Sequence, residues 1–219
     1  MLLKLILSIV VLTWFNTPAT SQKVQYKIVK KLVSKINTVS KEEIFQDSIL
    51  NQIQTSNDLV IGYSEYNETW RNVPVCYYLV CFQKKNCVAY KYTNRPYTRV
   101  GENFFQLDTI ALDPVTIDTI ITRVKINRPW EIKHKENDES SECAHVSPEK
   151  INVCSIHDAS SKTLILSTKT NYYLSSYYAP EFYEFNCCPG NRERMLFLST
   201  LAPIYSFFKS ASNKKIDKK

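Results

Sequence analysis

Seven cysteines constrain this chain more than any other feature, and three of them fall in one stretch. Val75 to Tyr92 reads VCYYLVCFQKKNCVAYKY and holds Cys76, Cys81 and Cys87 among aromatic and β-branched residues. The pattern predicts a β-hairpin, with one strand before Gln83-Lys84-Lys85-Asn86 and one after. Side chains on a strand alternate between faces. Cys76 and Cys81, five apart, therefore point to opposite faces, and each needs a partner in a different layer unless Cys81 closes across the turn onto Cys87. The other cysteines are Cys143, Cys154, Cys187 and Cys188.

The compartment decides how these sulfurs are read. The chain opens MLLKLILSIVVLTWFNTPATSQ, where Lys4 is the only charge before Lys23. An apolar run from Leu5 to Phe15 is followed by Pro18 and the small triplet Ala19-Thr20-Ser21. This is the layout of a secretory signal peptide covering residues 1–21, and it is too short for a membrane anchor. All seven cysteines follow it, so the expectation is three disulfides with one sulfur left over, either a free thiol or the bridge of a disulfide-linked homodimer. Cys187 and Cys188 are adjacent and point opposite ways on a strand, so they reach two different partners. The simplest connectivity ties the hairpin to this pair, while Cys143 and Cys154 hold the loop between them. In an extracellular chain the sequon at Asn67 is a glycosylation site on a surface loop.

Along the chain, Lys23–Ile36 has apolar residues at helical spacing with lysines opposite. Ser40-Lys41-Glu42-Glu43 reads as a capping box that starts a helix over Lys41–Gln54. Together these make residues 22–60 an N-terminal helical segment. The dibasic pair Lys30-Lys31 leaves open whether it is a removable pro-segment. Residues 61–132 form a cysteine-bearing β half. It contains the hairpin, a short strand at Phe104–Leu107, a turn at Asp113-Pro114 and an alternating strand over Thr116–Ile126. Residues 133–149 are polar and acidic and read as an exposed loop. Residues 150–219 form a second β half, with strands at Thr163–Thr168 and Glu181–Cys188 and an aromatic run at Asn171–Tyr178. Its apolar stretch Met195–Phe208, interrupted by Pro203, precedes a basic tail of Lys209, Lys214, Lys215, Lys218 and Lys219. The fold class expected is α+β: a disulfide-stabilised antiparallel sheet, as a sandwich or open barrel, with helices at the N-terminus.

Three sets of residues bear on chemistry. Cys143-x-His145 and Cys154-x-x-His157 offer four soft or borderline zinc ligands, but the spacing matches no standard zinc module and extracellular cysteines are normally oxidised. A Cys–His nucleophile needs a lone activated thiol, and His134, His145 and His157 lie in no recognised context for one. Glu42-Glu43 and Asp138-Glu139 are carboxylate pairs explained by capping and solubility. The expectation is therefore neither an enzyme nor a cofactor or metal protein. A formal charge of +7 on 28 basic and 21 acidic residues reads as a soluble basic secreted protein with a solvated basic tail, not as a nucleic-acid binder in this compartment; contact of the tail with anionic glycans or membrane surfaces is the sharper alternative. Cys154 to Cys188 loosely resembles the cysteine arrangement of cystine-knot growth factors: an isolated cysteine, an aromatic strand pair, then a double cysteine. The ring motif C-x-G-x-C and the final C-x-C of that family are absent. The functional expectation is a secreted, disulfide-bonded interaction protein that binds an extracellular protein or receptor. The alternatives are a small β-barrel carrier of an apolar ligand and a secreted hydrolase without a recognisable motif.

Overall fold

The structure is a computed structural model that describes residues 19–66, 74–84, 86–95, 104–132, 143, 156 and 159–216. Residues 1–18 of the expected signal peptide, Asn67, residues 133–149 apart from Cys143, Cys154 and all three histidines lie outside the described residues. Three long helices are α1 (Ala19–Val39), α3 (Pro114–Asn127) and α4 (Arg192–Ile216), and a shorter one is α2 (Ser48–Ser56). The strands are β1 (Lys41–Glu42), β2 (Leu59–Tyr66), β3 (Val75–Gln83), β4 (Asn86–Arg95), β5 (Phe104–Ile110), β6 (Ser161–Ser167) and β7 (Asn171–Tyr178). They form one open antiparallel sheet in the order β1-β7-β6-β2-β3-β4-β5, with β1 and β5 at its edges. Among the described residues, no helix is long and apolar enough to cross a membrane.

The central strands carry apolar residues on both faces, and this places helices on both sides. Leu59, Ile61, Tyr63, Val80, Phe82, Leu164 and Leu166 enter one core with α1 (Val29, Leu32, Ile36), α3 (Ile117, Ile120, Ile121, Val124) and α4 (Phe197, Leu201, Ile204, Phe208). The alternate residues Val60, Leu79, Cys81 and Ile165 enter a smaller core with Leu50 and Ile53 of α2. The layers are therefore helical, sheet, helical, where the sequence suggested a sheet sandwich or open barrel. β2 and β6 pair directly, so strands from before and after residues 133–149 share one sheet. Gly62 sits at the centre of β2 because a Cβ there would lie 2.3 Å from the Tyr78 carbonyl oxygen.

The hairpin expected at Val75–Tyr92 is present as β3–β4, with Gln83 paired to Asn86. Other segments differ from the sequence reading. Thr116–Ile126 is helix and not strand. Asp113 caps it by accepting from the Thr116 amide at 2.9 Å, and Pro114 follows at the first helical position, where a missing N–H costs nothing. Its β-branched residues satisfy both periods, and burial of Ile117, Ile120, Ile121 and Val124 selects the helical one. The capping box at Ser40 is not used. The Ser40 hydroxyl donates back to the Ile36 carbonyl at 2.6 Å and closes α1, while Lys41–Glu42 pairs with Asn171 and Tyr172. The following helix starts later, at Asp47, whose carboxylate accepts from the Ile49 and Leu50 amides. Glu181–Cys188 is also not a strand: a short α-turn (Pro180–Phe182) runs into a π-helical turn (Tyr183–Cys187). Finally, α4 continues through Pro203. The lost hydrogen bond and clash cost about 3 kcal/mol. Burial of Phe197, Leu201, Ile204 and Phe208 on one stripe, at about 1.5–3 kcal/mol each, exceeds that.

Candidate functional site

Asp47 anchors helix α2 beside an exposed apolar strip of the sheet. One carboxylate oxygen caps α2, and the other accepts from the Tyr92 hydroxyl at 2.8 Å and the Asn94 side-chain amide at 3.0 Å. The N-terminus of α2 is thereby pinned over β4. The segment leading into α2 is fixed by Gln54, a buried amide that accepts from the Phe45 N–H and donates to the Glu43 carbonyl. Burial, reinforced by the hydrogen bond to Asp47, pushes the Tyr92 hydroxyl well above its ordinary pKa, so it stays a donor.

Helix α2 covers the sheet as far as β4 and stops there. Cross-strand pairing continues the same face outward, with Tyr77 opposite Tyr92 and Tyr92 opposite Leu107, then Asn94 opposite Phe105. Tyr77 and Tyr92 stack with ring centroids 5.7 Å apart. Beyond them, Leu107 is 43% exposed and Phe105 60% exposed. Both lie on β5, which is the last strand of the sheet among the described residues. The candidate site is this strip: Phe105 and Leu107 on β5, with Tyr90 on β4 and Tyr77 on β3 further in on the same face. Burial raises the Tyr77 and Tyr90 hydroxyls, with Asp47 adding to the first and Cys81 to the second. Sequence reading identified Phe104–Leu107 as a strand but gave no sign of a site there. That β5 is an edge, and that α2 ends before it, depend on long-range pairing. The aromatic run Asn171–Tyr178, which reads as a recognition surface, is β7, and its Tyr177 packs on Phe197 in the core.

The cysteines fall into two groups. Cys143 is bonded to Cys188, with Cα atoms 5.5 Å apart across a sequence separation of 45. Closing a loop of that length stabilises by about 4 kcal/mol on the chain-entropy argument. Cys187 is disulfide-bonded as well, and its sulfur lies 3.7 Å from that of Cys143. Beside them Arg194 is fully buried. Its Nε donates to Glu184 at 3.0 Å and its Nη2 to the Cys188 carbonyl at 2.5 Å, while Glu184 accepts from the Gly190 amide. This ion pair fixes the bend that presents Cys188 to Cys143.

The second group is the hairpin. Cys76, Cys81 and Cys87 are free thiols, which overturns both the expected hairpin-to-Cys187/Cys188 bridge and the single leftover sulfur. The reason is geometric. Cys81 faces α2 and Cys87 faces the larger core, so they sit on opposite sides of the sheet. Cys76 pairs with Thr93 and Cys87 with Phe82, so Cys76 and Cys87 share a face at opposite ends of the hairpin. Burial pushes Cys87 up to about 12 and Cys81 higher still, the reverse of an activated nucleophile. The sulfurs of Cys143, Cys187 and Cys188 lie within 4.8 Å of one another, but sulfur held in disulfides offers no thiolate to a metal. His145, Cys154 and His157, the rest of the candidate zinc set, lie outside the described residues. The carboxylates of Asp47, Asp58, Asp113 and Glu184 are each engaged in a cap, a turn or an ion pair.

Compared with protein-family models, with curated proteins and with solved structures, the chain matches none.

Proposed function

We propose that this is a secreted interaction protein that binds an extracellular protein by accepting an extended segment of it along β5. One observation carries the reading: β5, the outermost strand on its side of the sheet among the described residues, presents Phe105 and Leu107 to solvent on the face that Tyr90 and Tyr92 of β4 continue inward. An exposed edge offers main-chain donors and acceptors, and flanking aromatic and apolar side chains give specificity. Folded proteins ordinarily blunt such edges with lysine, proline or a covering element, and β5 (FFQLDTI) has only Asp108. The amino-terminal apolar leader and the Cys143–Cys188 disulfide support extracellular residence. The carrier alternative presupposes a closed barrel, and the sheet is open.

The test is affinity capture from extracellular fluid with the parent protein, a Phe105→Ser/Leu107→Ser variant and a Val115→Ser control on α3. Val115 is 74% exposed, so the control removes a comparable apolar group elsewhere. The reading expects a partner held by the parent and the control and lost by the β5 variant. Equal capture by all three contradicts it.

A further inference from the structure

A second surface differs from the β5 strip in chemistry. Helix α1 contains Lys23, Lys27, Lys30, Lys31 and Lys35 and not one Asp or Glu. Its apolar stripe, Val29, Leu32 and Ile36, is buried in the main core. Lys27, Lys31 and Lys35 are exposed on the opposite side, one turn apart, so their charges recur every ~6 Å along the axis. Like charges at this spacing destabilise a helix slightly, and here nothing offsets them: among the described residues, no ion pair engages Lys27, Lys30, Lys31 or Lys35. Lys30 lies 4.8 Å over the Tyr26 ring.

Lys30 also joins the stripe to a cavity of about 270 Å³ between α1 and the β6–β7 turn. Tyr26, Asn37, Thr168, Lys169 and Thr170 line it, together with Asp58. Asp58 does not leave the cavity acidic. Its carboxylate accepts from the Lys84 amide at 2.7 Å and pairs with Lys169 at 3.2 Å. Val29 and Val33 give it an apolar wall, and the remaining groups are hydroxyls, an amide and the Lys30 and Lys169 ammoniums, a mixture that suits a sulfated sugar ring.

The geometry points to a binding site for a linear sulfated polysaccharide, running along Lys27, Lys31 and Lys35 with one sulfated unit reaching past Lys30 into the Thr168–Thr170 cavity. A membrane surface fits less well. An interfacial helix inserts its apolar face, and that of α1 is committed to the core, leaving Ser34 and Thr38 between the lysines. Each lysine is a point charge on a flexible four-carbon stem with three rotatable donors, so the stripe can meet sulfates at varied spacing. This surface is separate from the basic C-terminal tail. This inference rests on the extracellular reading above but not on the β5 strip.

The test uses heparin as the sulfated probe, with desulfated heparin and phosphatidylserine–phosphatidylcholine vesicles alongside. The parent protein is compared with Lys27→Gln/Lys31→Gln/Lys35→Gln, with Lys30→Gln/Lys169→Gln, and with Arg123→Gln/Lys125→Gln/Lys209→Gln. The last removes the same charge as the first from other surfaces. The expected result is heparin binding that needs sulfation and falls about tenfold in both α1 variants. In the stripe variant the salt dependence should lose a slope of about two, while the control triple stays near parental. Three outcomes overturn the inference: no heparin binding by the parent, equal loss in the control triple, or tighter binding to vesicles than to heparin through the same lysines. Unchanged circular dichroism and melting establish that the variants are folded. Failure here leaves capture through β5 unaffected, so the two proposals fail separately.

Discussion

Asp47 holds Tyr92 through a 2.8 Å hydrogen bond while capping α2 with its other oxygen, so one side chain joins a helix terminus to the sheet. Replacing Asp47 with Ala should cost about 1 kcal/mol for the cap plus about 1–3 kcal/mol for the donors left without a partner. Tyr92→Phe alone should cost about 1 kcal/mol. Urea denaturation of both single variants and the double variant is expected to show a coupling of about 1 kcal/mol, the signature of a direct contact. Additive losses would mean that the two residues act independently.

The buried Arg194–Glu184 pair should be intolerant of losing one partner. Arg194→Met leaves a carboxylate buried against Cys188 and Gly190, and should cost about 3–5 kcal/mol. Adding Glu184→Gln should recover part of that loss, because the amide still accepts the Gly190 N–H. Thermal melting of the single and double variants checks the order.

These two relationships show what the sequence could and could not disclose. The β3–β4 hairpin was legible because period-two alternation and its turn are local. So was α1, from its apolar spacing. The strand read at Thr116–Ile126 failed because Ile, Val and Thr fit either period there, and the pair Asp113-Pro114 serves equally as a turn or as a helix start. The helix start moved from Ser40 to Asp47 because Asp47 also gains Tyr92 and Asn94 from β4, residues far away in the chain. The β5 strip was invisible for the same reason: exposure of Phe105 is set by where α2 ends and by which strand is the edge.

Thiol counting separates the two cysteine groups. Under denaturing, non-reducing conditions three alkylated cysteines are expected, at Cys76, Cys81 and Cys87. In the native protein Cys81 and Cys87 should react slowly, since burial raises both thiols. Peptide mapping should recover a Cys143–Cys188 link. Cys187, oxidised as well, should appear in a second disulfide-linked peptide. A bond from the hairpin to Cys187 or Cys188 would contradict this assignment.

Acid should weaken the fold through Asp58 and Asp113. The Lys84 amide, opposed by partial burial and helped by Lys169, holds Asp58 below the ordinary 3.8. The Thr116 hydroxyl and amide do the same for Asp113, whose ordinary value is also 3.8. A carboxyl with a depressed folded pKa stabilises fully above its unfolded value and loses that stabilisation as the pH falls through the folded value. Melting temperature should therefore drop as the pH falls below 3.8, and Asp58→Asn/Asp113→Asn should flatten that drop while lowering stability at neutral pH. An unchanged acid limb in the double variant would assign it elsewhere.

Backbone amide exchange of β5 with the captured partner tests the central claim most directly. Strand addition predicts that amides within Phe104–Ile110 exchange freely in the isolated protein on the outward side and become protected on binding. The same partner should give no protection with Phe105→Ser/Leu107→Ser. Binding that leaves Phe104–Ile110 unprotected, or protects a different element alone, would contradict recognition through this edge.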